Sequence, residues 1–380
     1  MFSIHNALAD DPPLETRRAS ATLDGCQRTT ELIISERKLR TFIPAIRELR
    51  LRCGQQDDFT TDLEYFIGAN KQKNRRVAAV LIRQNHDLEA CVLFIEHCRF
   101  GIGLGLWRGG DTVGDGLVAG PESLRVHYVD LAAQAVLKRW RVYGVSFAVR
   151  TSLQHCIEVM GPRTKYRMFS GGCIQRKLPL ERTYHAMLAG MGHRTRRSVA
   201  GKRKQLEAHA HVAFLPSLEP AQALEAMLKL QPRSMPDRIT GFYQARYNLL
   251  HEIPDFFCMG MRLPDGTWLS ILSGWRRNRV TYLDLQMNDV HFKKESLSAV
   301  MRAFMLEHEI ANQQELIHFV GGTSLLLRRY CQPTEPCTDG FLWRPCLRAS
   351  LFHLVIPFMK PESLYEHVRV GTDGESSVHS

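Results

Sequence analysis

The sequence predicts an α+β fold laid down twice along one chain. Each half reads as helices, then strands joined by tight turns, then a helix–strand–helix run. Turn-forming segments such as Leu263-Pro264-Asp265-Gly266 punctuate the strand runs. At 380 residues the chain also exceeds one ordinary core. Each half is therefore expected to be a mixed, twisted sheet flanked by helices.

In the first half, Leu39, Phe42, Ile43, Ile46 and Leu49 recur at helical spacing, and a second short helix covers 61–70. Two strands, 77–82 and 89–95, flank the turn Gln84-Asn85-His86-Asp87. The glycine-rich stretch 101–116 lacks the spacing of a nucleotide loop and reads as an irregular connection. A short strand at 117–120, a helix over 123–141 and a strand over 145–149 complete this half.

The second half repeats the order. A strand at 173–178 leads into a long helix, 181–209, and then a strand at 212–215. Helices follow at 220–230 and 243–251. Strands at 256–262, 267–275 and 279–287 form a meander, with Asn278 at its second reversal. A helix over 295–310, a strand over 316–320 and a short helix over 322–330 close it. The expected division is a flexible lead-in 1–25, a first domain 26–168, a second 169–365 and a loose tail 366–380.

With 44% hydrophobic and 23% charged residues, the chain falls in the ordinary globular class. No stretch reaches the roughly 18–20 apolar residues that span a bilayer, and Asp10-Asp11-Pro12-Pro13 interrupts any signal-like run. The apolar segment 351–359 is short, contains Pro357 and reads as a packed or peripheral helix. A cytoplasmic protein is expected. The ten cysteines form no CxxC pair, so no metal site is expected and the thiols read as reduced and mostly buried.

The net charge of +11 favours an anionic partner, and the densest cationic run is His193-Arg194-Thr195-Arg196-Arg197-Ser198 with Lys202, Arg203 and Lys204. On a helix, Arg194 shares a face with Arg197, and Arg196 with Arg203. Lys202 and Lys204 read as a solvated face.

Three segments carry a family resemblance. The run Leu188 to Val199 resembles the opening helix of the FemAB-like, or BioF/CelD-like, acyltransferases of the GNAT superfamily. The run Tyr282 to Leu297 resembles that family's strand–loop–helix, without its Pro-Gly after the serine. Ile317 to Gly322, followed by Arg328-Arg329-Tyr330, resembles its closing strand and helix, with His318 where the family often has an acid. The resemblance implies two tandem GNAT-like domains, the second carrying the activity and the first a degenerate copy.

It further implies acyl-CoA as co-substrate, its pyrophosphate held where a helix begins at Lys293, Lys294, Ser296, Leu297 and Ser298. Ser296 is placed to cap that helix, and no glycine lets the backbone approach the ligand closely. Tyr330 stands where such folds carry the acid that protonates the departing thiolate. Glu252, Asp255, Asp284 and His318 all qualify as base, with Asp284 and His318 preferred. Strand alternation puts Tyr282, Asp284 and Gln286 on one face. Tyr282, Gln286, Trp275 and the arginines Arg194, Arg196 and Arg197 are expected to line the acceptor cleft.

The implied reaction moves an acyl group to an amine of a metabolite, sugar or polymer precursor. Two other readings stay open: aminoacyl transfer from tRNA, and a non-catalytic nucleic-acid-binding or regulatory protein on the same fold.

Overall fold

The structure, a computed structural model, describes residues 18–346 except 24–25, 57, 72–73, 100–101, 111–116, 120–123, 140, 162–165, 172–175, 232–239, 293–295, 321–324 and 334–335. The segment 351–359 and the tail lie outside these residues.

The chain opens with β1 (Arg18–Leu23) and β2 (Cys26–Ile33), then α1 (Glu36–Thr41), α2 (Ile43–Arg52) and α3 (Leu63–Ala69). A meander follows: β3 (Arg75–Gln84), β4 (Asp87–Arg99), β5 (Ile102–Gly109) and β6 (Leu117–Ala119). Then come α4 (Arg125–Leu137), β7 (Gly144–Arg150), α5 (Leu153–Met160) and β8 (Arg167–Gly171).

The second run begins with β9 (Arg176–Pro179), α6 (Tyr184–Ala189), α7 (His193–Arg196) and α8 (Lys202–Ala210). It continues through β10 (Ala213–Leu215), α9 (Pro220–Leu230) and α10 (Thr240–Glu252). The central meander is β11 (Phe256–Arg262), β12 (Trp268–Arg277) and β13 (Val280–Asn288). After it come α11 (Leu297–Ala311), β14 (Leu316–Phe319), α12 (Leu325–Arg328), β15 (Gln332–Pro333) and β16 (Cys337–Trp343).

Among the described residues these strands form two mixed sheets. The first runs β1-β2-β3-β4-β5-β7-β16-β8 with β6 on β4, and the second β10-β11-β12-β13-β14-β9-β15. The α+β order found twice in the sequence is thus the architecture. A strand returns from one half to the other. β9 pairs within its own half, between β14 and β15, while β16 returns from the second half to pair between β7 and β8. The first sheet therefore crosses the expected division at residue 168.

Local chemistry sets the turns. Asn85 and His86 take φ of 49° and 77° between β3 and β4, and Asn278 and Arg279 take 49° and 62° between β12 and β13. Gly266 takes φ of 86° in the third turn.

Three local expectations differ from the structure. β1 lies inside the expected flexible lead-in, paired with β2 from Leu23↔Cys26 to Arg18↔Glu31; in sequence the strands are separated by Asp24-Gly25, a dipeptide type suited to two-residue hairpins. The glycine-rich connection contains β5. There Leu104, Gly105 and Leu106 face only the gap between Cys98 and Glu96, and a side chain at Gly105 (φ 72°) would meet the Arg141 carbonyl. The long helix 181–209 is broken at Gly190 to Gly192 and contains a π-helical turn over Arg197–Gly201.

Each sheet is packed on both faces. In the second, Phe257, Met259, Leu283, Ile317 and Phe319 face α11 and the α6–α8 run. Cys258, Ile271, Leu285 and Met287 face α9 and α10. An aromatic cluster joins the halves: Phe59 stacks on Trp275 at 5.5 Å and meets Tyr65 and Tyr282 edge-on at 4.8 and 5.1 Å. Around it, Arg50 pairs with Asp62 at 2.6 Å, and Arg277 reaches Asp62 at 3.8 Å and the Gln56 carbonyl at 3.3 Å. Arg150 pairs with Asp58 beside it.

Phe59→Ala is expected to lower stability by about 3–5 kcal/mol, because it empties a fully buried aromatic site between the halves. A shift in denaturant midpoint corresponding to less than about 1 kcal/mol would show that the cluster does not join them.

Candidate active site

β13 and β14 run parallel and pair from Val280↔Leu316 to Leu283↔Phe319. β13 continues to Asn288 while β14 ends at Phe319, so beyond Leu283 the pairing opens into a fork whose β14 side, past Val320, lies outside the described residues. A bulge sits at the same level. Ser273 pairs with Leu285 and Gly274 with Leu283, which leaves Asp284 as an extra residue. A side chain at Gly274 would place its Cβ 1.9 Å from the Tyr282 carbonyl oxygen. Glycine is what allows the strands this close.

The bulge reassigns the faces of β13. Tyr282 points toward Phe59 and His318, and Asp284 toward α10, where its carboxylate accepts from Arg246 Nη1 at 2.7 Å and the Ser273 hydroxyl at 3.1 Å. Gln286 turns to the opposite face, accepting from Arg302 Nε of α11 at 3.1 Å. The expected common face for Tyr282, Asp284 and Gln286 is therefore split by one inserted residue. The Asp284 side chain is 2% exposed, so its ion pair is shut inside the domain.

α11 is fixed above the fork by its buried Glu309, which takes the Arg276 guanidinium at 2.7 Å and the Thr281 hydroxyl at 2.6 Å. At its start Ser296 is left-handed (φ 53°, ψ 49°) and makes no side-chain cap, unlike the expectation. Leu297 is buried and Ser298 half-buried, with the Ser298 carbonyl 3.4 Å from Gln286 Nε2. Lys293 and Lys294 lie outside the described residues.

Tyr330 and the cationic run come together. The Tyr330 hydroxyl accepts from the Gly192 N–H at 2.7 Å, at the start of α7, and donates to Thr195 Oγ1 at 3.3 Å. Arg329 donates to the same threonine and lies 4.8 Å over the Tyr330 ring. Burial would raise this phenol, but Thr195, the Gly192 N–H and Arg329 outweigh it and lower its pKa.

Arg194, Arg196 and Arg197 are exposed. Arg196 and Arg197 line a shallow open depression with His193, Ala200, Gly201 and Lys204. Arg203 does not share their face. It lies 4.0 Å over the Phe304 ring and pairs with Glu207 and Glu307. The π-helical turn winds through less rotation per residue than an α-helix, so Arg203 falls short of the face that ideal spacing would share with Arg196.

Trp275 is 1% exposed within the aromatic cluster and presents no surface to a cleft. His318 stands 5.2 Å from Tyr282, and its Nε2 is buried without a hydrogen-bond partner. Burial, with Lys177 and Arg150 adding to it, pushes the imidazole down to about 4. Arg246, Arg302 and Thr195 were not singled out from sequence. An arginine inside the apolar run Val300-Met301-Arg302-Ala303-Phe304 was the available signal for one of them.

No protein-family model and no curated protein sequence matches the chain. Solved structures share its fold. A tandem GNAT protein from the clavulanic acid biosynthesis pathway superposes with a TM-score of 0.53 at 11% identity, covering 83% of this chain and 99% of that one. FemX gives 0.50 at 11% identity, covering 77% and 97%. A GCN5-related glucosamine N-acetyltransferase region of a fungal multi-domain β-N-acetylglucosaminidase gives 0.50 at 9% identity, covering 82% and 38%. The fold is two tandem GNAT-like domains. No helix among the described residues is long and apolar enough to cross a membrane.

His318 supplies a titration test. Its folded pKa lies below the usual 6.5, so the unfolded chain takes up the proton first as pH falls. Its contribution to stability is complete above about pH 6.5 and is lost toward pH 4. The His318 ring resonance should stay at its neutral position down to about pH 5, and a midpoint near 6.5 would contradict its burial.

Proposed function

We propose that the protein is an N-acyltransferase that moves an acyl group from an acyl-CoA to an amine of a metabolite, sugar or polymer precursor. The fork between β13 and β14 in the second of two GNAT-like domains carries this reading. The thioester lies between the strands, and the donor's phosphates lie where α11 begins, at Lys293, Lys294, Ser296, Leu297 and Ser298. The N–H groups of a first helical turn and the helix dipole favour an anion there. The resemblance to FemAB-like and BioF/CelD-like acyltransferases supports the same assignment.

The neutral amine attacks the thioester carbonyl, and the tetrahedral adduct collapses with loss of the thiolate. Tyr330 gives that thiolate its proton, and its lowered pKa makes it the stronger donor. His318 is the better of the two base candidates, because its ring is neutral near pH 7 and Nε2 has no partner. Asp284 is held by Arg246 and Ser273, so it acts as a positioning group. Gln286 reaches the donor side of the fork. Arg194, Arg196 and Arg197 receive a negatively charged part of the acceptor, with Tyr282 behind the fork. Trp275 supports Tyr282 from the core. The exposed depression formed by His193, Arg196, Arg197 and Lys204 also favours a second reading, in which the donor is an aminoacyl-tRNA.

Thermal melts with acetyl-CoA, longer acyl-CoAs and tRNA separate the two. A CoA donor at a hundred times its Kd should stabilise the fold by about 2.7 kcal/mol. Indifference to every CoA species, together with a salt-sensitive response to tRNA, would overturn the acyl-CoA reading. Tyr330→Phe should lower turnover about 100-fold with CoA affinity kept; unaltered turnover would remove Tyr330 from the chemistry.

A further inference from the structure

Arg302 is a half-buried cation with no counter-charge among the described residues. The three arginines buried most deeply by exposed area have carboxylates: Arg28 has Glu89, Arg50 has Asp62 and Arg246 has Asp284. No carboxylate among the described residues pairs with Arg302. Its Nε donates to the neutral Gln286 amide oxygen, its guanidinium carbon lies 5.8 Å from the Phe319 ring centroid, and Nη1 is closed to solvent with no hydrogen-bond partner. Burial pushes this guanidinium down to about 10, and only the Cys331 thiol acts against that. An unpaired buried charge is expensive for a fold, and Met or Leu would fill the same space at lower free energy.

The position gives the charge a use. Gln286 lies on β13 beyond the last paired residue, and Phe319 ends β14, so the guanidinium sits where the two strands separate. Helical side chains lean toward the helix N-terminus, which brings Arg302 beneath the first turn of α11. There Gln286 also reaches the Ser298 carbonyl. The chain has no glycine between Lys293 and Ser298 to bring the backbone around an anion. A guanidinium from within the helix supplies the missing donors.

We propose that Arg302 is the receptor for an oxyanion, phosphate or carboxylate, on the ligand that fills the fork. This rests on the acyl-CoA reading for the ligand's identity but not for the presence of an anion. Two sources share the chemistry: the diphosphate of the donor, or a carboxylate on a dicarboxylic acyl chain.

The test compares the wild type with Arg302→Met, using CoA, pantetheine, inorganic diphosphate, acetyl-CoA and succinyl-CoA as probes in calorimetry and thermal melts. Without ligand, R302M should melt about 2 °C or more above the wild type, since the unpaired charge is gone. If the diphosphate is the anion, R302M binds CoA at least 10-fold more weakly, pantetheine binding is unchanged, and diphosphate stabilises only the wild type. If a carboxylate is the anion, diphosphate is inert, and a wild-type preference for succinyl-CoA over acetyl-CoA disappears in R302M. A wild type that ignores CoA but loses diphosphate binding on substitution would keep the anion site and end the acyl-CoA reading. An R302M protein that binds every probe as the wild type does would overturn the proposal. Should R302M not fold, R302Q, which keeps an amide toward Gln286, is read by the same comparison.

Discussion

One inserted residue in β13 governs the second domain. Because Asp284 has no partner on β12, the strand changes phase there, and everything beyond it is turned over. Gly274 permits this, since any larger residue would collide with the Tyr282 carbonyl. Three consequences share the cause. The fork lies next to the phase change, Asp284 is delivered to Arg246 on the α10 face, and Gln286 is delivered to Arg302 on the α11 face. A regular strand would have put both side chains on one face, so Arg246 and Arg302, on opposite faces, could not both have these partners.

The halves hold each other in place through strands as well as side chains. β16, from the second half, completes the first sheet between β7 and β8, so backbone ladders cross the division there. The Phe59 cluster then fills the space behind β13, with Arg277 and Arg50 converging on Asp62. His318, which ends up neutral and buried, owes that state to this packing. The first half therefore shapes the wall of the candidate site whether or not it carries chemistry of its own.

Much of this was legible in the sequence because it is local. The Leu263 to Gly266 turn and the reversals at Asn85 and Asn278 define hairpins by residue type alone, and the meander strands follow from them. The fold class followed from element order. What escaped was either long-range or a matter of one residue. No local pattern tells β16 to pair with β7, nearly two hundred positions earlier. The Asp284 bulge and the π-helical turn each shift a face by a single insertion, which periodicity arguments assume away. Asp24-Gly25 was a readable hairpin signal, and β5 was masked by its own glycines. Of the expected site residues, Tyr330 and the arginine run meet through Gly192 and Thr195, while Trp275 lies in the core.

The central claim is that a donor occupies the fork between β13 and β14. Backbone hydrogen exchange with and without CoA measures this most directly, because each amide reports its own protection. The account predicts that added CoA slows exchange at 284–288 of β13 and in the first turns of α11, with the amides of β3 and β4 unchanged. Protection confined to His193 to Lys204, with the fork exchanging as before, would contradict it.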